Sequence, residues 1–317
     1  MKNVSALPQV IAPTPFRKTL WRTLRYNLTA LAFISPWLIG FLLFMAYPIL
    51  ESLRLSFTDF RLLEESFNYI GFKNFIFIFT RDATFTKAVQ NTLLYAILSV
   101  PINLSVGLGT ALLMNQKVKG ISIWRTLFFL PSLVPPVATI VVFRALFDPG
   151  RGLINEILRN LGVIDPPGWF ATTDTALITI VLMGVWGFGG TMIIILAGLQ
   201  DVPRSLLEAA QIDGANAWQR FINVTIPLIS PVLFFNLVLG CIGAFQVFAQ
   251  SIVLGGATGW PGGTTLFFNV YVYLVGFQSP YRLGYASALG WILFIGILLV
   301  TAFNFLVSKR FVFYSGE

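Results

Sequence analysis

Tyr285–Val307 reads YASALGWILFIGILLVTAFNFLV, 23 consecutive residues without a charged side chain. A helix rises about 1.5 Å per residue, so this run is long enough to cross the ~30 Å hydrocarbon core of a bilayer. Within lipid, backbone N–H and C=O groups must find partners inside the protein, and a single apolar run achieves this only as a helix. Working back along the chain, five more runs have the same character: Ile229–Ile252, Thr175–Leu199, Thr126–Phe147, Thr92–Met114 and Leu28–Leu50. Only Thr126–Phe147 carries a charge, Arg144, close enough to its end to snorkel to the interface. The fold class expected is all-α, a polytopic membrane helical bundle with six transmembrane helices.

Composition agrees. Of 317 residues, 56% are hydrophobic and 11% charged, against about a quarter charged in soluble domains. The net charge of +8 comes from basic residues at the ends of apolar runs, and no basic stretch interleaved with aromatics marks a nucleic-acid groove. Cys241 is the single cysteine and there is no histidine. That excludes an intrachain disulfide and histidine-based catalysis, and it removes the commonest metal ligand, so no catalytic or metal site is expected.

The loops set an orientation. Lys2, Arg17, Lys18, Arg22 and Arg25 precede the first run with no acid among them, and Lys117, Lys119 and Arg125 lie between the second and third. Glu51–Val89 balances its charges, and Asp148–Asp174 is net acidic. By the positive-inside rule both termini are cytoplasmic, and so is the loop at 200–228. The organisation expected is a tail over 1–27, one transmembrane domain over 28–308, and a tail over 309–317. The first run is too long for a signal peptide, and no small-residue cleavage site follows it. Residues 1–20 read as a mobile tail. Pro36, Pro101, Pro131, Pro135, Pro136 and Pro231 interrupt the runs, as kinks or hinge points in a packed bundle.

The loop from Asp201 to Pro227 reads DVPRSLLEAAQIDGANAWQRFINVTIP. Asp201 is placed to cap a helix and Pro203 to open its first turn. Ser205–Ile212 favours helix, and Gly214 suits a left-handed stop. A second helix is expected over Ala215–Ile222, with Pro227 ending the segment. The result is an ordered knob, slim at Ala209 and Ala210, presenting Glu208 and Asp213 to a partner. An amphipathic helix lying on lipid fits less well, because two arginines face three acids.

Glu208-Ala209-Ala210, Gly214 and Ile226-Pro227 at these spacings resemble the EAA loop of binding-protein-dependent ABC importer permeases. The flanking Leu196-Ala197-Gly198-Leu199-Gln200 and Asp213-Gly214-Ala215 are similar to those of the carbohydrate type, such as maltose, multiple-sugar and glycerol-phosphate permeases. Further resemblance runs through Asn91-Thr92, the Pro131–Pro136 cluster, Leu146-Phe147-Asp148-Pro149 and Phe245-Gln246-Val247-Phe248. The resemblance implies a permease subunit in a bacterial or archaeal plasma (inner) membrane, with Glu208, Ala209, Ala210, Asp213, Gly214 and Pro227 forming a coupling element. It also implies the partners: two ATPase subunits that bind ATP and Mg, a second permease of different sequence, and an extracytoplasmic solute-binding protein. No Gly-x-x-x-x-Gly-Lys-Ser/Thr loop occurs here, so no cofactor is expected on this chain.

A carbohydrate-like solute needs amides, hydroxyls and aromatic faces inside the bundle. Asn236, Gly240, Gly243, Gln246 and Gln250 fall within one broad helical face of the fifth run. The resemblance implies solute contacts in the fourth and fifth runs, carried to Phe188, Thr191, Phe245, Gln246 and Gln250. Ala249 stands where many relatives carry an acid. The glycine-rich stretch from Gly255 to Thr265 reads as an outer loop. The alternative, an ion-coupled secondary transporter, usually carries acids or histidines within its spans, and none of the six runs holds one. An intramembrane enzyme would need a nucleophile with its base, or a metal site, and neither appears.

Overall fold

The computed structural model describes residues 16–313, with side chains from residue 27 onward. Most of the tail expected over residues 1–20 lies outside the described residues, but Phe16 already begins helix α1 (Phe16–Phe41). The chain divides into two compact units, Met1–Arg54 and Leu55–Glu317.

In the first unit α1 passes through a wide turn, Leu42–Ala46, into α2 (Tyr47–Leu55). Asn27–Leu55 is long and apolar enough to span, five residues beyond the expected end. Pro36 cannot donate to the carbonyl of Ala32, and the Ser35 hydroxyl takes that carbonyl at 2.8 Å. Ahead of Pro48 the helix widens by one residue, so that Tyr47 N–H reaches Leu42 O. Such π-type turns let a helix admit a proline and continue.

The second unit opens with a β-bridge between Thr58 and Tyr69 and helix α3 (Lys73–Arg81). The buried Asn74 amide closes this segment by donating to the Ser56 and Thr58 carbonyls, both at 2.9 Å. Asp82 then caps α4 (Ala83–Met114), accepting the Phe85 N–H at 2.9 Å. Its other carboxylate oxygen accepts the Tyr271 and Tyr285 hydroxyls at 2.6 and 2.5 Å.

At 32 residues α4 exceeds the expected second span by nine residues at its start. It is the central post of this unit, and α8 (Thr173–Val185), α9 (Gly189–Gln200), α12 (Ile226–Phe245) and α14 (Phe268–Phe277) all pack on it. Tyr95, Ile180, Met183, Ala244 and Phe267 centre one apolar cluster, and Ala111, Met192, Ile195 and Ile229 another.

Three of the expected spans are not single rods. The third is α5 (Ile121–Phe129), a tight turn at Leu130–Leu133 and α6 (Pro136–Leu146), bent by 96°. Pro135 and Pro136 deny the backbone donors that a straight helix needs there. The fourth bends by 49° between α8 and α9, where Trp186–Phe188 lies among glycines. In the fifth, α12 ends at Phe245 and α13 (Ala249–Gly255) follows after a break. Four stretches are long and apolar enough to span, or six if each bent pair counts as one. The sixth, α15 (Leu283–Ser308), matches its expected bounds within two residues. The acidic segment between α6 and α8 carries a short helix, α7 (Leu153–Asn160). It begins after an Asp148 turn in which backbone N–H groups of Arg151 and Gly150 hold the carboxyl below its usual range.

α14 was not expected, because ten residues after a glycine-rich loop give too little pattern for a span. It is anchored to α4 by side chains. Thr92 Oγ1 accepts the Phe268 N–H at 2.9 Å, and the Asn91 amide donates to the Gly263 and Leu266 carbonyls at 2.7 and 2.9 Å. Asn91→Leu would strand both carbonyls in a buried site. We expect it to cost about 2 kcal/mol, two ordinary hydrogen bonds' worth, read as a lower melting temperature of the purified protein in detergent, with Asn91→Gln intermediate.

Candidate functional site

The loop between α9 and α12 is ordered throughout. Asp201 ends α9 with its N–H on Ala197 O, and Pro203 itself occupies the cap of α10 (Arg204–Ile212). Asp201 therefore does not cap this helix, and Pro203 sits one position earlier than its pre-set φ suggested. At the other end the chain reverses through Gly214, whose φ is +83°. Ala215 N–H reaches Ala210 O at 2.9 Å and Gly214 N–H reaches Gln211 O at 3.1 Å, the paired bonds of a Schellman stop. Asn216 starts α11 (Ala217–Arg220) with a reciprocal capping box: its side chain accepts the Gln219 N–H at 2.9 Å while Gln219 accepts the Asn216 N–H at 2.8 Å. Asn216 followed three residues later by glutamine is a legible signal of this start.

Pro227 does not end the segment. A second wide turn, Phe221–Thr225, puts Ile226 N–H on Phe221 O, and the chain enters α12 without interruption. The second loop helix and the fifth span are one lever. Glu208, Asp213 and Gly214 are exposed, as are the apolar Ile212 (86%) and Trp218 (69%). Between α10 and this lever lies a groove of about 390 Å³ walled by Ala209, Ala210, Asp213 and Pro227.

Two cavities lie within the bundle. The first, about 340 Å³, is bounded by Tyr95, Ser99 and Asn103 of α4, Thr191 of α9 and Asn236 of α12. The second, about 200 Å³, sits in the bend of the third span, with Ser132, Thr139, Trp186 and Gln250 in its wall. Gly184 belongs to both. A Cβ there would stand 2.8 Å from the Tyr95 hydroxyl, so a larger residue would displace that ring. Among the described residues, no charged side chain lines either cavity.

Of the five residues named from the sequence, Thr191 and Gln250 are in these walls. Phe188 instead packs on Phe128, with ring centroids 6.0 Å apart. Phe245 is half-buried at the end of α12, and Gln246 is exposed there, its carbonyl accepting the Asn269 amide at 3.2 Å. The broad face expected to run from Asn236 to Gln250 stops at Gly243, because the helix breaks at Gln246. The sequence reading passed over the α4 contribution. Asn91, Tyr95, Ser99 and Asn103 recur every fourth residue, a polar stripe on one face of an apolar helix.

The family profile described as binding-protein-dependent transport system inner membrane component matches residues 103–312. The chain belongs to that family. Members are transport subunits embedded in a membrane, not enzymes, which sets aside the ion-coupled and enzymatic alternatives. Similar relatives in Bacillus subtilis (strain 168) are the probable ABC transporter permease protein YesP and the arabinooligosaccharides transport system permease protein AraP. YesP is 38% identical, with 92% of this chain and 94% of YesP covered. AraP is 33% identical, with 94% and 95% covered. The fold is similar to that of a chain in a bacterial alginate ABC transporter solved with an alginate pentasaccharide-bound periplasmic protein, at TM-score 0.79 and 24% identity over 92% of this chain and 97% of that one.

In this permease Thr191 Oγ1 donates to Asn103 Oδ1 at 2.9 Å and joins α9 to α4 beside the larger cavity. Thr191→Val keeps the shape and loses the donor. We expect a loss of about 1–2 kcal/mol for the partly buried amide left short of a partner, measured as a lower melting temperature, with Thr191→Ser retaining most of the stability.

Proposed function

We propose that this chain is the membrane subunit through which an uncharged sugar or oligosaccharide enters the cell, driven by ATP hydrolysis on two separate ATPase subunits. The observation that carries the solute class is the lining of the two cavities. Hydroxyls of Tyr95, Ser99, Thr191, Ser132 and Thr139 and amides of Asn103, Asn236 and Gln250 stand in these walls, several of them sharing hydrogen bonds within the chain, and no charged side chain stands among the described lining residues. Such a set matches sugar hydroxyls, which donate and accept, and gives a carboxylate no cation to pair with. AraP, named for arabinooligosaccharides, agrees in class.

The ATPases grip the loop at 200–228. Its rigidity supports this reading, because a loop that transmits force must not absorb it. Glu208, Ala209, Ala210, Asp213 and Gly214 meet the ATPase, and Pro227 lies where the lever enters the bundle. A second, different permease subunit completes the pathway, and an extracytoplasmic binding protein delivers the solute. Gln246 and Phe245, outside the cavities of this chain alone, face that second subunit. Both termini and the coupling loop lie in the cytoplasm. A hydrogen bond from Phe313 N–H to Ser230 Oγ at 2.9 Å, which brings the last described residue to the base of this loop, supports placing the two on one side.

Reconstituted with its partners, the chain with Glu208→Lys is expected to insert normally but lose copurified ATPase and solute-stimulated hydrolysis, with Glu208→Gln milder. Full hydrolysis with Glu208→Lys would remove the loop from the coupling role. Uptake of acidic oligomers in preference to uncharged ones would overturn the solute class. For orientation, cysteines at Ser66 and Ser279 in a Cys241→Ala background should react with an impermeant thiol reagent on intact cells, and one at Gln211 should not. Gln211 is preferred to Asn216, whose side chain caps α11.

A further inference from the structure

Pro231 lies inside α12 and has no N–H to give the carbonyl of Pro227, four residues back. Ser230 replaces it, its hydroxyl donating to Pro227 O at 2.6 Å. Ser230 Oγ in turn accepts the Phe313 N–H at 2.9 Å. Ser230 is 8% exposed, so its hydroxyl is covered, while Phe313 stands 57% exposed at the surface. The segment that delivers Phe313 is itself fixed, since the Phe311 and Val312 N–H groups both return to Ser308 O, at 2.9 and 2.8 Å. Phe313 then forms part of the wall of the groove beneath α10, together with Leu206, Ala209, Ala210 and Asp213. One buried hydroxyl thus joins the proline turn at the foot of the lever to the end of α15, directly under the loop helix.

We propose that Ser230 and Phe313 are positioning residues for coupling, forming a strut through which displacement of the loop reaches α15 as well as α12. This rests on the reading of the 200–228 loop as the element the ATPase grips. The lever enters the bundle through a wide turn and two prolines, Pro227 and Pro231, where the helical ladder is thinnest. A bend there would dissipate the stroke. The Ser230 bridge closes the carbonyl left open by Pro231 and ties it to a second span, so the two spans shift together. Neither residue need touch the ATPase.

The test uses the full complex reconstituted with its ATPases, partner permease and binding protein, and reads solute imported per ATP hydrolysed. Ser230→Ala and a chain ending at Val312 are each expected to copurify with ATPase at normal yield. Each is also expected to lower that ratio by about ten-fold, the equivalent of one lost hydrogen bond. Ser230→Thr, which keeps the hydroxyl, should restore it. The chain ending at Val312 keeps the Ser230–Pro227 bond, so it reports on the strut even if Ser230→Ala misfolds. A normal ratio in the shortened chain would overturn the proposal. Glu208→Lys serves as the control. If it abolishes hydrolysis while the shortened chain stays fully coupled, the strut fails and the coupling loop stands; if Glu208→Lys is itself harmless, the underlying reading has failed.

Discussion

In hydrocarbon a backbone carbonyl or N–H without a partner is among the most costly groups a chain can hold, and the structure is arranged around that constraint. Proline strains it most, because each one inside a span frees a carbonyl four residues back. Two solutions recur. In Ser35-Pro36 and Ser230-Pro231 the residue before proline donates its hydroxyl to the freed carbonyl. Before Tyr47-Pro48 and Ile226-Pro227 the helix opens by one residue instead. At Val134-Pro135-Pro136 the helix instead gives way and the bend opens onto a cavity, whereas α4 runs on through Pro101.

That constraint also decides what could be read in advance. The number and approximate place of the apolar runs were legible, because length and absence of charge are properties of the run itself. The breaks at Trp186–Phe188 and Gln246–Phe248 were not, since no proline marks them. The start of α4 at Ala83 was hidden by its polar first turns, although Asp82 is a recognisable cap. α14 escaped because it is short and depends on Asn91 and Thr92, more than 170 residues away in sequence. For the loop, Gly214 announced its left-handed stop. The end expected at Pro227 failed because a wide turn carried the helix past it. The polar stripe of α4 was present in the sequence and needed only its four-residue period to be counted.

The loop and the cavities occupy different parts of the same helices. α9 leads from Thr191 at a cavity wall to Asp201 at the loop, and α12 leads from the loop back to Asn236 and Gly243. No flexible connector intervenes on either route. The Schellman stop and the capping box fix the knob internally. Glycines at the crossings let the helices come close: a Cβ at Gly107 would stand 2.7 Å from the Thr191 methyl.

The uncharged lining of both cavities has an electrical consequence. Moving one elementary charge through a membrane potential is worth about 2.3 kcal/mol per 100 mV. Walls built from hydroxyls, amides and aromatic rings hold no fixed charge to move. Displacing these walls therefore carries no fixed charge of their own across the membrane, unlike displacing the intramembrane acids or histidines of an ion-coupled carrier.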